Sequence, residues 1–313
     1  MKKTKKKTYR IRNWKEYNKG LVKRGSLTVW VEEEIAQQWQ EKEKSGKPGA
    51  SKTYSDKAIE TMALLGQVYS LALRATQGLL KSIIEIMKLE VRVPDYTTLC
   101  RRRKTLEIVL TAKEKAKARH IVVDSTGVKI YGEGEWKVRQ YGWSKRRTWR
   151  KLHIAVDEAS KEILVAAVTK NSVDDAEILP VLLEQVPGQI NQVSADGAYD
   201  KDKAYKAIEQ YQAFAAIPPR KNAVIHQHGN SLLAPRARDE NIRCIRKIGR
   251  KKWKKTVNYH RRSLAENTIF RIKTIFGERV NSRSFDGQAA QVLIRCSALN
   301  KMSALGLPIS VAA

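Results

Sequence analysis

With 313 residues the chain can hold two domains, or one domain with an appendage, and its 42% hydrophobic content fills a core, which excludes a disordered polymer. The balance of 61 Lys and Arg against 32 Asp and Glu leaves a net charge of +29, which points to a polyanion: nucleic acid first, an anionic membrane surface second. No apolar run nears the roughly 18 residues of a membrane span, no lipidation motif is legible, and no apolar stretch follows the basic start as in a secretory signal. Three cysteines without a CxxC pair exclude a disulfide framework and a cysteine zinc cluster, and fit a reducing cytoplasm.

Residues 1 to about 54 are polar and basic with scattered aromatics; a short helix is expected over Glu32–Glu43 and a loop over Lys44–Ser55. Ser55 can cap a helix whose apolar stripe runs through Ile59, Met62, Ala63, Leu64 and Val68. A second helix is expected over Leu71–Met87, and Asp95 can cap a third over Tyr96–Leu106. That third helix carries Arg101, Arg102, Arg103 and Lys104. A helix, a break and a basic helix form the pattern of a helix-turn-helix, whose second helix enters the major groove. Residues 1–118 thus read as a helical DNA-binding region.

From His120 the texture becomes β-branched, and a strand is expected to leave Asp124 near its end. Trp149–Val156 and Glu162–Thr169 are two more strands; Asp174 or Asp175 caps a helix over Ala176–Gln185. A strand in Gln192–Tyr199 ends at Asp196, Lys201–Gln212 is helical, and Ala213–Pro218 is a fifth strand. A basic insertion, irregular in pattern, covers about 220–256, and helices follow from Tyr259 and over about Gln288–Leu305. The order β-β-β-α-β-α-β-α predicts an α/β (α+β) ribonuclease H-like domain with a mixed sheet over 119–285, then a C-terminal helix over 286–313.

Within the helix from Tyr259, the residues Tyr259, Arg262, Glu266 and Lys273 fall on an arc of about 60° when wound as an α-helix. Leu264, Ile269, Ile272, Ile275 and Phe276 fall on a separate arc of about 140°, a stripe that can be buried. An ordinary helix with a solvated mixed-charge face would also give this pattern. A carboxylate among cations, however, is suited to holding a metal ion beside a phosphate. Asp124 and Asp196, each at the end of an expected strand, can supply two further hard oxygen ligands on elements that lie side by side in this fold.

The spacing Y-x2-R-x3-E-x6-K over Tyr259, Arg262, Glu266 and Lys273 resembles the signature of bacterial insertion-sequence DDE transposases, most of all the insertion-sequence-five family. The stretches VVDSTG around Asp124 and ADGAYD around Asp196 are similar to that family's two aspartate motifs. The resemblance implies that Asp124, Asp196 and Glu266 bind Mg²⁺, with Mn²⁺ as a substitute, and that Tyr259, Arg262 and Lys273 contact phosphates of the transposon end. It further implies hydrolysis at terminal inverted repeats bound by the N-terminal region, and joining of the 3′ hydroxyls to target double-stranded DNA. A homodimer on DNA in the bacterial cytoplasm, associated with the nucleoid and not with a membrane, is expected. A non-catalytic DNA-binding regulator and a structure-specific nuclease of the same fold are the alternatives; an intact acidic triad argues against the first, and the tyrosine, arginine and lysine matches argue against the second.

Competing residues have simpler roles. Asp157 lies in a turn, and Asp174, Asp175 and Asp200 precede helices where capping accounts for them. The five histidines show no metal-ligand spacing beyond His226-x-His228 and read as surface residues. Trp136, Trp143 and Trp149 lie among basic residues; each can pack, and one can stack on an unpaired base. No Ser-His-Asp arrangement or P-loop is legible.

Overall fold

The computed structural model describes residues 9–31, 33–41, 53–110, 117–130, 149–228 and 234–312. The chain divides into two units, 1–108 with 297–313, and 109–296.

In the first unit, β1 (Tyr9–Ile11) pairs antiparallel with β8 (Ser310–Ala312), a pairing of the two chain ends that periodicity does not reveal. Between them lie α1 (Trp14–Lys23), α2 (Leu27–Trp30), α3 (Asp56–Val68), α4 (Leu73–Ile86) and α5 (Tyr96–Arg102). The expected helix over Glu32–Glu43 forms as a 3-10 turn over Glu33–Gln38. Ser55 caps α3 as expected, its Oγ accepting from the Ala58 N–H at 3.1 Å. The core of this unit gathers Trp30, Trp39, Ile59, Met62, Leu65, Leu80, Ile83 and Leu99. Gly66 lets α3 and α4 approach closely, since a Cβ there would stand 2.8 Å from Oγ1 of Thr76.

The second unit is built on β2 (Arg119–Ile130), β3 (Trp149–Asp157), β4 (Ile163–Lys170), β5 (Ile190–Ser194) and β6 (Phe214–Ala216), in the order β4-β3-β2-β5-β6. β2, β3 and β4 are antiparallel, whereas β5 and β6 run parallel to β2. This antiparallel trio extended by two parallel strands is the mixed sheet of a ribonuclease H-like fold. The parallel steps need crossovers, supplied by α6 (Asp175–Glu184) before β5 and α7 (Asp202–Glu209) before β6. Both cover one sheet face, where Ile121, Val123, Ala155, Val165 and Val193 pack with Leu179, Leu182, Leu183, Ala204 and Ile208.

The rest of the unit holds α8 (Ala237–Ile248), α9 (Arg250–Thr256), a 3-10 turn over Tyr259–Arg262 and α10 (Ser263–Phe276). β7 (Arg279–Val280) pairs parallel with the far end of β2, and α11 (Phe285–Ala304) follows. α10 buries Ala265, Thr268, Ile269, Ile272 and Phe276, an i, i+3, i+4, i+7, i+11 stripe, and packs on β2 and β3.

Further expectations change: β5 ends at Ser194, two residues before Asp196, and the C-terminal helix stops at Ala304, ahead of β8. Asp124 does not end its strand, because β2 runs on through Ser125–Ile130 under continued pairing with β3. The basic segment 220–256 is not irregular throughout: Gly249, at φ +83°, separates the two helices α8 and α9. Tyr259 and Arg262 stand on the 3-10 turn that leads into α10, after Asn258 in the left-handed region at φ 53°, so the four signature residues do not share one continuous α-helix.

Candidate active site

Strand alternation decides which face each acid presents. Ile121 and Val123 point into the core beneath α6 and α7, so Val122 and Asp124 point to the face where α10 lies. Ser194 pairs with Val122 in the parallel register, and the extended backbone at Asp196 (φ −80°, ψ 179°) returns that side chain to the face of Ser194. Asp124 on β2 and Asp196, two residues past the end of β5, thereby face the same side of the sheet, and Glu266 lies in the first turn of α10, which packs over that side.

Hydrogen bonds fix the two aspartates. Oδ1 of Asp124 accepts from the N–H of Ser125 at 2.9 Å, and Oδ1 of Asp196 accepts from the N–H of Ala198 at 2.9 Å, capping a 3-10 turn. Arg262 stands between the acids: its Nη1 lies 3.5 Å from Oδ2 of Asp124, and its Nη2 donates to Glu266. Burial pushes the Asp124 carboxyl up to about 6; the charges of Asp196 and Glu266 push the same way, while the Ser125 N–H and Arg262 oppose them. For Arg262, burial acts against the charge, and its neighbours Tyr259, Asp124, Glu266 and Asp196 outweigh it. Asp196 and Glu266 thus lie within electrostatic reach of Asp124, Arg262 and Tyr259.

The turn carrying Tyr259 and Arg262 is anchored from three sides. Gln192 on β5 donates from Nε2 to the Val257 carbonyl at 2.8 Å, Arg261 pairs with Glu158 of the β3–β4 turn, and Trp253 meets the Tyr259 ring at a centroid distance of 6.2 Å. Burial raises the Tyr259 pKa, which keeps the phenol protonated as a hydrogen-bond donor. Lys273 stands apart, two turns or about 10 Å along α10 from Glu266, where its charge acts on Glu278. Gln192, Trp253 and Arg261 carry no sequence signature; only the tertiary structure brings them to the site.

The donor set fits a divalent ion. It consists of hard carboxylate oxygens, and Oδ2 of Asp196 has no protein hydrogen bond among the described residues. No three His, Cys, Asp or Glu groups stand ready as a metal cluster among the described residues. Arg262 pairs with both Asp124 and Glu266.

The remaining candidates divide. On α5, Arg101 and Lys104 are exposed, whereas Arg102 is turned inward, donating to the Tyr54 carbonyl at 2.8 Å and pairing with Asp56; Arg103 is half-buried. Nine residues separate α4 from α5, while four separate α3 from α4, with Ser70 at φ 54°; a helix-turn-helix turn of three to four residues fits the earlier pair. Asp174 caps α6 as expected, its Oδ1 accepting from Ala176 at 3.0 Å. Asp175 instead accepts from Lys151 at 3.1 Å, and Asp200 is a buried partner of Arg238 at 2.8 Å. Asp157 forms its expected turn, accepting from the Ser160 N–H at 3.0 Å, and also pairs with Arg119. His226, His228 and His260 are exposed, but His120 and His153 are not surface groups: they bond Ser194 and Thr169, each at 2.8 Å. Trp149 packs over Gly127, where a Cβ would lie 3.1 Å from its ring, with Lys129 5.6 Å from the ring centroid; Trp136 and Trp143 lie outside the described residues.

Comparison with known proteins bears on this arrangement. A family profile described as "Transposase DDE domain" matches residues 115–301, and a second profile of the same description matches residues 22–133. A cryo-EM structure of a piggyBac transposase synaptic complex with hairpin DNA is similar over 90% of this chain and 73% of that chain, at 10% identity and a TM-score of 0.39. Among the described residues no helix is long and apolar enough to cross a membrane. The longer match spans the whole β2-to-α10 unit that assembles the acids, and the chain belongs to the transposase DDE domain family, whose members are metal-dependent polynucleotidyl transferases and nucleases.

Proposed function

We propose that this protein cleaves DNA at the terminal inverted repeats of a mobile element and joins the freed ends to target DNA, with Asp124, Asp196 and Glu266 as its catalytic acids. What supports this reading is that Asp124 and Glu266 share the guanidinium of Arg262, on the sheet face toward which Asp196 is also turned. In the first step a water oxygen attacks the scissile phosphorus, the P–O3′ bond breaks, and a 3′ hydroxyl and a 5′ phosphate remain. In the second step that hydroxyl attacks a target phosphodiester, and a P–O3′ bond of the target breaks as the new one forms. Neither step needs a bond to the protein, so the chain's part is positioning and charge.

Asp124, Asp196 and Glu266 would hold Mg²⁺, with Mn²⁺ as a substitute, and the bound ions neutralise charge on the attacking and leaving oxygens. Arg262 offers a two-pronged grip on a phosphate, Tyr259 adds a hydroxyl donor beside it, and Lys273 offers a point charge to a phosphate farther along the strand. In the first unit, Arg101 and Lys104 present free charge for terminal-repeat recognition. Joining both ends of an element calls for a homodimer on DNA, in the bacterial cytoplasm at the nucleoid.

The test is cleavage of a supercoiled plasmid carrying the DNA that flanks this reading frame. Asp124→Asn and Asp196→Asn should each abolish cleavage while leaving the gel shift of the same DNA intact. Retained cleavage in either variant would reject the assignment.

A further inference from the structure

Between Glu240 and Glu266 the chain has no acidic residue and ten Lys and Arg. The side chains that fix this segment are a separate set. Arg238 holds the buried Asp200 at 2.8 Å, Asp239 accepts from the Gln227 N–H at 2.8 Å, Asn241 donates to the Ala215 carbonyl at 2.8 Å, and Trp253 is 1% exposed. With those turned inward, Arg246 and Lys247 on α8 and Lys251, Lys252 and Lys255 on α9 are exposed, and none forms an ion pair among the described residues. So many like charges so close together repel one another and are balanced by no acid of their own segment.

We propose that α8 and α9 form a sequence-independent clamp on the phosphate backbone of duplex DNA, held at a fixed offset from the acidic site by Trp253. α9 is about 10 Å long, and about 10 Å of duplex presents on the order of six phosphate charges. Trp253 on the inner side of α9 meets Tyr259, and Lys254 lies 5.0 Å over the same ring; Tyr259 in turn shares its 3-10 turn with Arg262. A phosphate on Lys251, Lys252 or Lys255 therefore sits in register with the strand that reaches Asp124. No base-reading pattern is present: α9 offers ammonium groups, which bind phosphates as point charges, and an indole that is already buried. The inference rests on the proposed DNA chemistry but does not depend on which residues hold the metal.

The experiment uses the full chain without divalent metal, so that cleavage plays no part, and a random-sequence DNA duplex as probe. Binding is measured against salt for the wild type, for Lys251→Gln/Lys252→Gln/Lys255→Gln, and for a control with the exposed Lys170, Lys203 and Lys206 changed to Gln. The α9 variant should flatten the slope of log affinity against log salt by about 0.9 for each phosphate it no longer neutralises, about 2–3 in all, and the control should keep the wild-type slope. The same flattening is expected on a duplex carrying the element ends. An unchanged slope in the α9 variant, or equal flattening in the control, would overturn the clamp. Either result leaves the Asp→Asn cleavage test untouched, so the two proposals fail separately.

Discussion

Nη1 of Arg262 lies 3.5 Å from Oδ2 of Asp124, and the other arm of the same guanidinium is bonded to Glu266. An ion held by Asp124 and Glu266, as proposed, would compete with this guanidinium for the same oxygens. Arg262→Ala should therefore tighten Mn²⁺ binding to the DNA-free protein, as read by electron paramagnetic resonance. The same variant should engage a cleaved DNA end less well, by about 1.5–3 kcal/mol for the missing charged hydrogen bond, and excess Mg²⁺ should not restore it. Full strand-transfer activity on simply adding Mg²⁺ would remove Arg262 from phosphate binding.

Burial also sets a pH dependence. The Asp124 carboxyl titrates near 6 in the folded chain, against 3.8 when exposed. Between those values the folded chain binds more protons than the unfolded one, so the contribution to stability is full below about pH 4 and is lost as pH rises through about 6. Asp124→Asn, with a chelator present, should stabilise the protein at about pH 8 by on the order of 1–2 kcal/mol after allowance for solvent screening, and by nothing at about pH 4. Thermal melts across that range check it; a difference that does not vary with pH would contradict it.

A buried ion pair should matter for stability and not for chemistry. Arg119 and Asp157 lie 3.6 Å apart with side chains 1% and 2% exposed, at the end of the sheet where β2 begins and β3 ends. Asp157→Ala leaves the guanidinium without its buried partner and should cost about 3–5 kcal/mol in urea unfolding. In the folded fraction cleavage per molecule should match wild type; a selective loss of cleavage would bring Asp157 into the catalytic set.

The elements that carry the candidate acids are legible in the sequence because they are regular: a β-branched strand, a D-G-A-Y turn and a helix with an apolar stripe, of which Ile275 is exposed in the structure. What escapes is whatever depends on pairing distant segments. The extent of β2 past Asp124 is set by its ladder with β3, not by the polar Ser125–Gly127 that looks like a turn. The helix α9 is hidden because a seven-residue lysine-rich segment with one apolar residue shows little periodicity, whereas α8 carries Ile242, Ile245 and Ile248 at helical spacing among charges that read as a basic loop. Likewise Asp200 reads as a helix cap and His153 as a surface group until Arg238 and Thr169 are seen beside them. The register that sets Asp196 beside Asp124 is carried by the pairing of Ser194 with Val122, which no local pattern encodes.

End recognition has its own prediction. Arg101 and Lys104 are the exposed cations of α5 and the turn that follows it, and Arg102 is engaged with Tyr54 and Asp56. Arg101→Ala/Lys104→Ala should weaken binding to the element-end duplex, while Arg102→Ala should mainly lower the melting temperature. Equal weakening on end and scrambled duplexes would show that α5 supplies affinity without sequence preference.

Whether Asp124, Asp196 and Glu266 hold ions at one place is read by Fe²⁺-generated hydroxyl-radical cleavage of the protein backbone. With Fe²⁺ in place of Mg²⁺ and ascorbate present, backbone cuts should cluster near residues 124, 196 and 266 together, all suppressed by excess Mg²⁺. Cuts confined to one of the three segments, or cuts that Mg²⁺ does not suppress, would contradict a shared site.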